Sequence, residues 1–487
     1  MITNLPLLEA KVLLSTLLSA LLFSGPAVLP LPLSTNKPES SSYVDQSPDA
    51  KLLQSRIDAL VAPYFESSSF SGDVLAMRNG EVVFHKGYGL ANHERAVPVT
   101  SQTKFYVASI SKSFTAAAIL LLQERGKLQV TDPVTRFIPD FPNGDQITIH
   151  HLLTHRAGIA DFLRFPNFAE ISQKPYTTKE VVKLFQDKPL TFKPGARSTY
   201  SNSNYVLLAY IVELVSGLNY PEFLKTNFFK PLGMQNTGQS QPSDDSIANL
   251  ATGYAPVGLH EFEKTRHYDH SIATGAGSLY STAEDVSKWI QGLLAGRVLK
   301  KSSVEQMVKP HPDGTSGYSL NLSKLWNRDA ITENGWDGVG FAGTLIHFPN
   351  DNVTVVVLGN LNISTVAGEL AQNISATIFG ENFEALKPNL EPISPALSTK
   401  LVGKYKLGND FFVPGAVLDI VERDGNLYEQ QHSPDQLVGL IRISELEFIH
   451  RSSWGRMKFK TDETGQVTGM LFMLSSNRFN ADKLTAK

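Results

Sequence analysis

The stretch YVASISKSFTAAAILLLQERG, residues 106–126, places a serine and a lysine three positions apart in front of a long apolar run. From Phe114 to Gln123 the residues are apolar on nearly every side, which predicts a central, buried helix. Positions i and i+3 lie on one face of a helix, so the Lys112 ammonium can reach the Ser109 hydroxyl. Two interpretations stay open: Ser109 is a nucleophile assisted by Lys112, or it is an N-cap followed by a solvated lysine.

The S-x-x-K spacing by itself selects no residue, because it occurs at 34–37, 101–104 and 109–112. The first copy lies in a segment rich in proline and serine, and the second precedes the extended-looking FYV. Only the third copy opens a convincing helix. Helix context therefore favours Ser109 over the other two serines.

A serine hydroxyl is a weak nucleophile without a base, and a tyrosine beside a lysine can supply one. The stretch KPGARSTYSNSNYVLLAYIVELVSG, residues 193–217, puts Tyr200 and Asn202 in polar sequence ahead of an apolar helix. Tyr200 is the only one of 15 tyrosines with asparagine two positions later. The alternative is an ordinary turn tyrosine followed by a helix-capping asparagine.

Composition excludes several classes of function. A net charge of −3 gives no sign of a nucleic-acid partner. The absence of cysteine excludes disulfides, thiol nucleophiles and cysteine-ligated zinc. We expect no metal and no cofactor, and we expect the partner to be a small-molecule or peptide acyl substrate.

The N-terminus predicts export. Residues 12–23 form an apolar run of signal-peptide length, followed by small residues up to Ala27. We therefore predict a signal peptide or an uncleaved membrane anchor over 1–27, and a linker rich in proline and serine over 28–50. The expected location is secreted or periplasmic, with membrane anchoring if the segment is retained.

The remaining pattern predicts an α+β domain over 51–385. Two strand pairs, 72–89 around Asn79-Gly80 and 343–360, enclose a mostly helical region and predict one antiparallel sheet with helices on its faces. After a proline-rich linker at 386–397, strands return over 398–487, with a turn at Asp424-Gly425. Their spacing predicts a small all-β barrel or sandwich.

The motifs together resemble the serine β-lactamases and penicillin-binding proteins, in particular the class C β-lactamase, D-aminopeptidase and esterase branch. Ser109-Ile110-Ser111-Lys112 and Tyr200-Ser201-Asn202 resemble the first two motifs of that family, in its order. LLTHRAGI, FKPG, PLGMQNTG and AGSLYSTAEDVSKW, from Leu152 to Trp289, support the resemblance, which covers residues 52 to 380. It implies a transpeptidase-like fold with an inserted helical subdomain, and a lipocalin-like barrel at the C-terminus.

The resemblance also implies a role for each residue. Ser109 would be the acylated nucleophile, and its own N–H would form half of an oxyanion hole. Lys112 would assist deprotonation and stay paired with Tyr200, which would act as base and then as acid. Asn202 would orient Lys112 and the substrate.

The third motif departs from the family pattern, which is Lys-Thr-Gly or His-x-Gly ahead of Gly-Phe. Anchoring on Gly340-Phe341 places it within ENGWDG at 333–338, where no lysine or histidine occurs. Two registers, 333–335 and 336–338, make Gly335, Trp336 and Gly338 candidate substrate-binding residues. The missing cation implies weaker recognition of substrate carboxylates and a preference for esters or other acyl groups. The residues that could supply a cation in place of the missing lysine or histidine are Arg266, His267 and His270.

Two functions are consistent with this sequence. The first is a serine hydrolase that forms an acyl-enzyme on Ser109 and cleaves an ester, a D-amino-acid peptide or a β-lactam. The second is a catalytically silent binder of peptides or cell wall, which the altered third motif would suit.

Overall fold

The computed structural model describes residues 48–239, 246–311, 316–383, 386–389, 391–431, 433–474 and 477–484. The predicted signal peptide or anchor at 1–27 and nearly all of the predicted linker at 28–50 lie outside these ranges. Within them, every helix is too short or too polar to cross a bilayer.

A six-stranded antiparallel sheet forms the centre of the first domain, and it joins the two predicted strand pairs. In chain order its strands are β1 (Gly72–Arg78), β2 (Glu81–Tyr88), β3 (Asn321–Leu325), β4 (Arg328–Trp336), β5 (Ala342–Phe348) and β6 (Val353–Gly359). Their spatial order is β3-β4-β5-β6-β1-β2. Asn79 and Gly80 have φ of 53° and 83°, as a two-residue hairpin turn requires. The prediction of one antiparallel sheet is confirmed.

The β3–β4 hairpin was not predicted from sequence. Its turn residues are Trp326 and Asn327, both left-handed with φ of 49° and 59°. A bulky tryptophan is an unusual choice for that conformation, so the sequence carries no recognisable turn signature there.

Helices cover both faces of the sheet. The longer ones are α1 (Pro48–Glu66), α2 (Ser111–Glu124), α3 (Thr178–Phe185), α4 (Asn202–Ser216), α5 (Ala283–Leu294) and α6 (Val366–Phe379). Leu345 of β5 packs into a core with α2, α4 and α5, while its neighbour Ile346 packs against α1 and α6. Every residue of α2 from Ser111 to Leu122 is buried, which confirms the prediction of a central helix.

Shorter elements complete the domain. One- and two-turn helices lie at Ala108–Ile110, Val134–Arg136, Ile149–Leu153, Phe162–Arg164, Phe168–Ile171, Tyr220–Leu224, Lys225–Phe229, Lys230–Leu232, His270–Ala273 and Lys301–Met307. Short strands lie at Leu90–Asn92, Val97–Pro98, Phe105–Tyr106, Gly238–Gln239 and Leu279–Ser281. A separate pair, Tyr254–Val257 and Glu261–Lys264, forms what we call the connecting hairpin.

The C-terminal strands form a closed eight-stranded barrel, so the structure selects the barrel over the sandwich. They are β7 (Gly403–Leu407), β8 (Val417–Arg423), β9 (Asn426–Gln430), β10 (Leu437–Arg442), β11 (Glu447–His450), β12 (Gly455–Thr461), β13 (Val467–Leu474) and β14 (Asn477–Lys483). The sequence did not predict β10 or β14. In β14 only Phe479 and Ala481 are buried, which leaves little apolar signal.

The predicted linker at 386–397 is partly structured. Asn389 donates its backbone N–H to the carbonyl of Arg442 in β10. A short helix, Pro395–Leu401, begins inside the predicted linker and ends ahead of β7.

Candidate active site

Ser109 lies in a tight turn that leads into α2. It is the middle residue of the 3₁₀ turn Ala108–Ile110, and Ala108 is held in the left-handed region with φ of 45°. Val107 donates its N–H to the carbonyl of Leu279, and the Ser111 hydroxyl accepts from the N–H of Leu279. Contacts on both sides of Ser109 therefore fix the turn that presents its hydroxyl.

The structure brings Ser109, Lys112 and Tyr200 together. The distance from Ser109 Oγ to Tyr200 Oη is 2.8 Å, and that from Lys112 Nζ to Ser109 Oγ is 3.0 Å. Lys112 reaches the hydroxyl along the first turn of α2, as the three-residue spacing predicted. Tyr200 comes from the loop in front of α4.

Lys112 is a buried lysine with only 2% of its surface exposed. Besides Ser109, its Nζ donates to Asn202 Oδ1 at 2.8 Å and to the carbonyl of Ala276 at 2.5 Å. Burial lowers the pKa of Lys112 to about 7, against an opposing effect of the Asp161 charge. Nζ lies 4.9 Å from the centre of the Tyr200 ring, so its contact with that residue is with the ring face.

Tyr200 is held as a neutral phenol. Burial raises the pKa of its hydroxyl well above the usual range. The ring of His155 packs on it with centroids 4.5 Å apart, and His155 Nδ1 accepts the N–H of Ser201 at 3.2 Å. Burial also lowers the pKa of His155 to about 3, so this histidine supports the tyrosine without carrying charge at neutral pH.

Asp161 is a site residue that the sequence analysis missed. It accepts hydrogen bonds from the backbone N–H of Asn202 at 3.2 Å and from Asn202 Nδ2 at 3.2 and 3.4 Å. With the amide hydrogens used by Asp161, Asn202 Oδ1 is left facing Lys112. The available signal was position, because Asp161 follows the LLTHRAGI segment by two residues.

We call residues 333–341 the third-motif edge. Gly335 lies directly against the serine turn, since a Cβ there would be 2.1 Å from the carbonyl oxygen of Val107. The Trp336 indole donates to Asn362 Oδ1 at 2.6 Å, and Asn362 Nδ2 donates to the carbonyl of Gly338 at 3.0 Å. Of the three candidates, Gly335 therefore meets the serine turn, while Trp336 and Gly338 are joined through Asn362.

At the third-motif edge, Asp337 pairs with a histidine from another part of the chain. His270 Nε2 lies 3.3 Å from Asp337 Oδ2, and both side chains are 4% exposed. Asp337 Oδ1 also accepts three backbone N–H groups, from Val339, Gly340 and Phe341. The His270 ring stacks on Tyr106 with centroids 3.3 Å apart.

Of the three possible substitute cations, His270 contacts Asp337 of this edge. Arg266 and His267 are exposed.

Glu333 holds the first position of the 333–335 register, and it points into the core. It is 2% exposed, and neither carboxyl oxygen has a hydrogen-bond partner among the residues the structure describes. The nearby Ser113 hydroxyl already donates to the carbonyl of Ile110 and accepts from the Trp289 indole. Burial raises the pKa of Glu333 to about 8, so the group is mostly a neutral acid at pH 7.

A serine and a buried lysine at the start of a central helix, faced by a tyrosine from a second loop, define the class of the serine β-lactamases and penicillin-binding proteins. The model of the Beta-lactamase family matches residues 57–377, so the chain belongs to that family.

Several known proteins are similar to this chain. Penicillin-binding protein 4* of Bacillus subtilis (strain 168) is 28% identical over 436 residues, 84% of this chain and 94% of that protein. PbpX of the same strain is 35% identical over 265 residues, 54% of this chain and 65% of PbpX, so the match spans just under two thirds of its length. The D-amino acid amidase of Ochrobactrum anthropi SV3, solved with L-phenylalanine amide, has a TM-score of 0.60 at 25% identity, covering 68% of this chain and 99% of the amidase. These neighbours support a hydrolase.

Proposed function

We propose that the chain is a serine hydrolase that forms an acyl-enzyme on Ser109. The observation that carries this proposal is the position of Ser109 Oγ, 3.0 Å from the Nζ of a buried lysine and 2.8 Å from Tyr200 Oη. A buried lysine beside a serine hydroxyl is an activated base, because burial disfavours the charged form of the lysine.

The two pKa shifts favour Lys112 as the group that takes the serine proton. The pKa of Lys112 is lowered to about 7, whereas that of Tyr200 is raised, so at neutral pH a tyrosinate is far rarer than a neutral lysine. The family resemblance implied the base role for Tyr200. The proposal now gives Tyr200 the second role, which is to pass a proton to the leaving group.

The proposed reaction has two steps. Ser109 Oγ bonds to the acyl carbon while its proton passes to Lys112 Nζ. Collapse of the tetrahedral intermediate then breaks the bond to the leaving alcohol or amine, which takes a proton from Tyr200 Oη, and the proton held by Lys112 afterwards restores the tyrosine hydroxyl. Water repeats these transfers on the ester, which releases the acid and restores Ser109.

The third-motif edge favours acyl substrates without a carboxylate beside the scissile bond. His270 is already paired with Asp337, which also accepts hydrogen bonds from three backbone N–H groups. A substrate carboxylate would therefore find no unpaired cation among residues 333–341. We propose esters or uncharged amides as the substrate class, ahead of penicillins.

Mass spectrometry tests this proposal directly. Intact protein is treated with a fluorophosphonate and separately with a penicillin, and the adduct is mapped by peptide analysis. We expect one fluorophosphonate adduct on Ser109, none in Ser109→Ala, and full labelling in Ser101→Ala, which alters the exposed second copy of the S-x-x-K spacing. An adduct on another serine, or none in folded protein, would overturn the proposal.

The runner-up function is a catalytically silent binder of peptides or cell wall. The observation that favours it is the absence of a lysine or histidine from residues 333–338. It would be supported by reversible binding of a D-alanyl peptide to protein that no acylating reagent labels.

We also propose that the protein is exported, on the basis of the apolar run at 12–23. Determining the N-terminal residue of protein recovered from the producing cells tests this point. A start near residue 28 in the exported fraction would support it, and an intact Met1 in a cytoplasmic fraction would count against it.

A further inference from the structure

The turn between β11 and β12 of the barrel inserts one arginine into the first domain. Arg451 has no exposed surface. Its Nη1 donates to the carbonyls of Val257, Gly258 and Glu261 at 2.7, 3.2 and 3.0 Å. Its Nη2 donates to the carbonyl of Ser68 at 2.9 Å. Three of the four acceptors belong to the turn of the connecting hairpin, so a single guanidinium holds that turn through three hydrogen bonds.

The barrel holds the same turn through its backbone. Gly258 donates its N–H to Leu437 and accepts the N–H of Gly439, both in β10, at 3.0 and 2.8 Å. Arg451 in turn donates its backbone N–H to the carbonyl of Gly439 at 3.0 Å. The tip of the connecting hairpin is thus bonded to the barrel on two sides.

The other end of the connecting hairpin touches the third-motif edge. Gly340 has φ of 153°, and a Cβ there would lie 2.6 Å from the Cα of Gly253, so the two backbones are in direct contact. From the second hairpin strand the chain runs to His270, which pairs with Asp337 and stacks on Tyr106. One continuous segment, 253–270, therefore joins the barrel to the edge of the cleft and to the strand before Ser109.

A second anchor on the same turn offers a comparison. Trp454 donates its indole N–H to Glu369 Oε2 at 2.8 Å, and Tyr64 donates its hydroxyl to Glu369 Oε1 at 2.7 Å. These residues belong to the core with α1 and α6, on the face of the sheet opposite α2. The hydrogen bonds of this anchor go to Glu369 and not to the connecting hairpin, although the same core includes Tyr254 and Leu259 of that hairpin.

We propose that Arg451 is a positioning residue for substrate recognition, through which the barrel sets the connecting hairpin and with it the His270–Asp337 pair. The inference rests on the proposed function, since it needs a cleft at Ser109. Buried hydrogen bonds from a charged donor contribute more than neutral ones, and their loss allows the gripped turn to shift. A shift of the hairpin moves the edge that an acyl substrate meets, while leaving Ser109, Lys112 and Tyr200 in place.

The test compares two substitutions in one turn. Arg451→Met removes the four hydrogen bonds at similar volume, Arg451→Lys keeps the charge, and Trp454→Phe weakens the second anchor. Hydrolysis of a series of p-nitrophenyl esters of increasing acyl length is measured together with thermal stability and the rate of fluorophosphonate labelling.

We expect Arg451→Met to lower kcat/KM by about tenfold for the longer esters, mainly through KM, with labelling of Ser109 within about twofold of wild type. Arg451→Lys should recover part of the loss, and Trp454→Phe should lose stability with kcat/KM within about twofold. Equal losses in the two positions, or no loss in Arg451→Met, would overturn the inference.

Hydrogen exchange supplies a readout that does not depend on activity. Amides of 253–270 and 335–341 should exchange faster in Arg451→Lys than in Trp454→Phe, and this comparison carries the test if Arg451→Met does not fold. Unchanged exchange in Arg451→Lys would count against the positioning role. Failure of the wild-type protein to label with fluorophosphonate would instead overturn the proposed function.

Discussion

Two sides of the site around Ser109 differ in how their polar groups are satisfied. On the serine side, Lys112 Nζ has three polar partners, and Asn202 is hydrogen-bonded to both Lys112 and Asp161. On the third-motif edge, Glu333 is buried without a hydrogen bond from the described residues, and Asp337 is paired with His270. In the proposed function the first arrangement moves a proton, whereas the second holds the shape of the site.

Removing the lysine would break the serine side most severely. Lys112→Ala deletes the proposed base and leaves Asn202 Oδ1 and the Ala276 carbonyl without their donor. We expect the rate of acylation by fluorophosphonate to fall by about 10³-fold, within the range for loss of a general base. Lys127→Ala, an exposed lysine just after α2, is the control and should label at the wild-type rate. Labelling of Lys112→Ala at a near-normal rate would remove the lysine from the mechanism.

Changing Asp161 would separate positioning from charge on the same side. The wild-type acylation rate should rise with pH through about 7, as Lys112 loses its proton. The Asp161 charge favours protonated Lys112, so Asp161→Asn should move that rise to lower pH. The rate at its plateau should fall by roughly 10- to 100-fold, because the Asn202 amide loses its fixed orientation. A pH profile of the labelling rate measures both effects, and an unshifted profile would contradict the electrostatic part.

A neutral isostere at Glu333 tests the second side, the third-motif edge. The folded-state pKa of Glu333 is about 8, above the ordinary value of 4.5, so the folded protein binds this proton more tightly than the unfolded chain. The stability that the proton provides is complete below about pH 4.5 and is lost as pH rises to about 8.

Glu333→Gln removes this dependence. The free energy of unfolding of the variant minus that of wild type should increase by at least about 1 kcal/mol from pH 5 to pH 9. Denaturant unfolding at the two pH values measures the change, and Glu305→Gln, on an exposed helix position, is the control. Labelling of Ser109 should stay within about twofold. A pH-independent difference between variant and wild type would contradict the prediction.

The elements that could be predicted from sequence are those defined by short spacing. Ser109 and Lys112 are three residues apart on one helix, and Tyr200 and Asn202 are two apart, so local pattern and family resemblance were enough to place both pairs. Asn79-Gly80 is a typical hairpin-turn sequence and predicted its hairpin. Trp326-Asn327 also has two left-handed residues in its turn, but its sequence does not predict a turn.

The missed features depend on contacts between distant residues. Asp161 meets Asn202 across 41 positions, and His270 meets Asp337 across 67. Nothing in the sequence near either residue requires its partner, so only the folded chain shows that they meet. The strand β14 was missed for another reason, because its two buried side chains are too few to mark an apolar pattern.

The hydrogen bonds from Arg451 to the connecting hairpin all go to main-chain oxygens, and the guanidinium also lies over the Phe262 ring of that hairpin, 5.1 Å from its centre. Every amino acid supplies the same carbonyl, so the hydrogen bonds tolerate a change of side chain wherever the backbone and packing allow one. Gly258 has a φ of 55°, which favours glycine, whereas an exposed position such as His260 can change while the position of the turn stays constant. Such a turn is a natural place for relatives of this chain to diverge in substrate preference, and a practical one for library-based redesign.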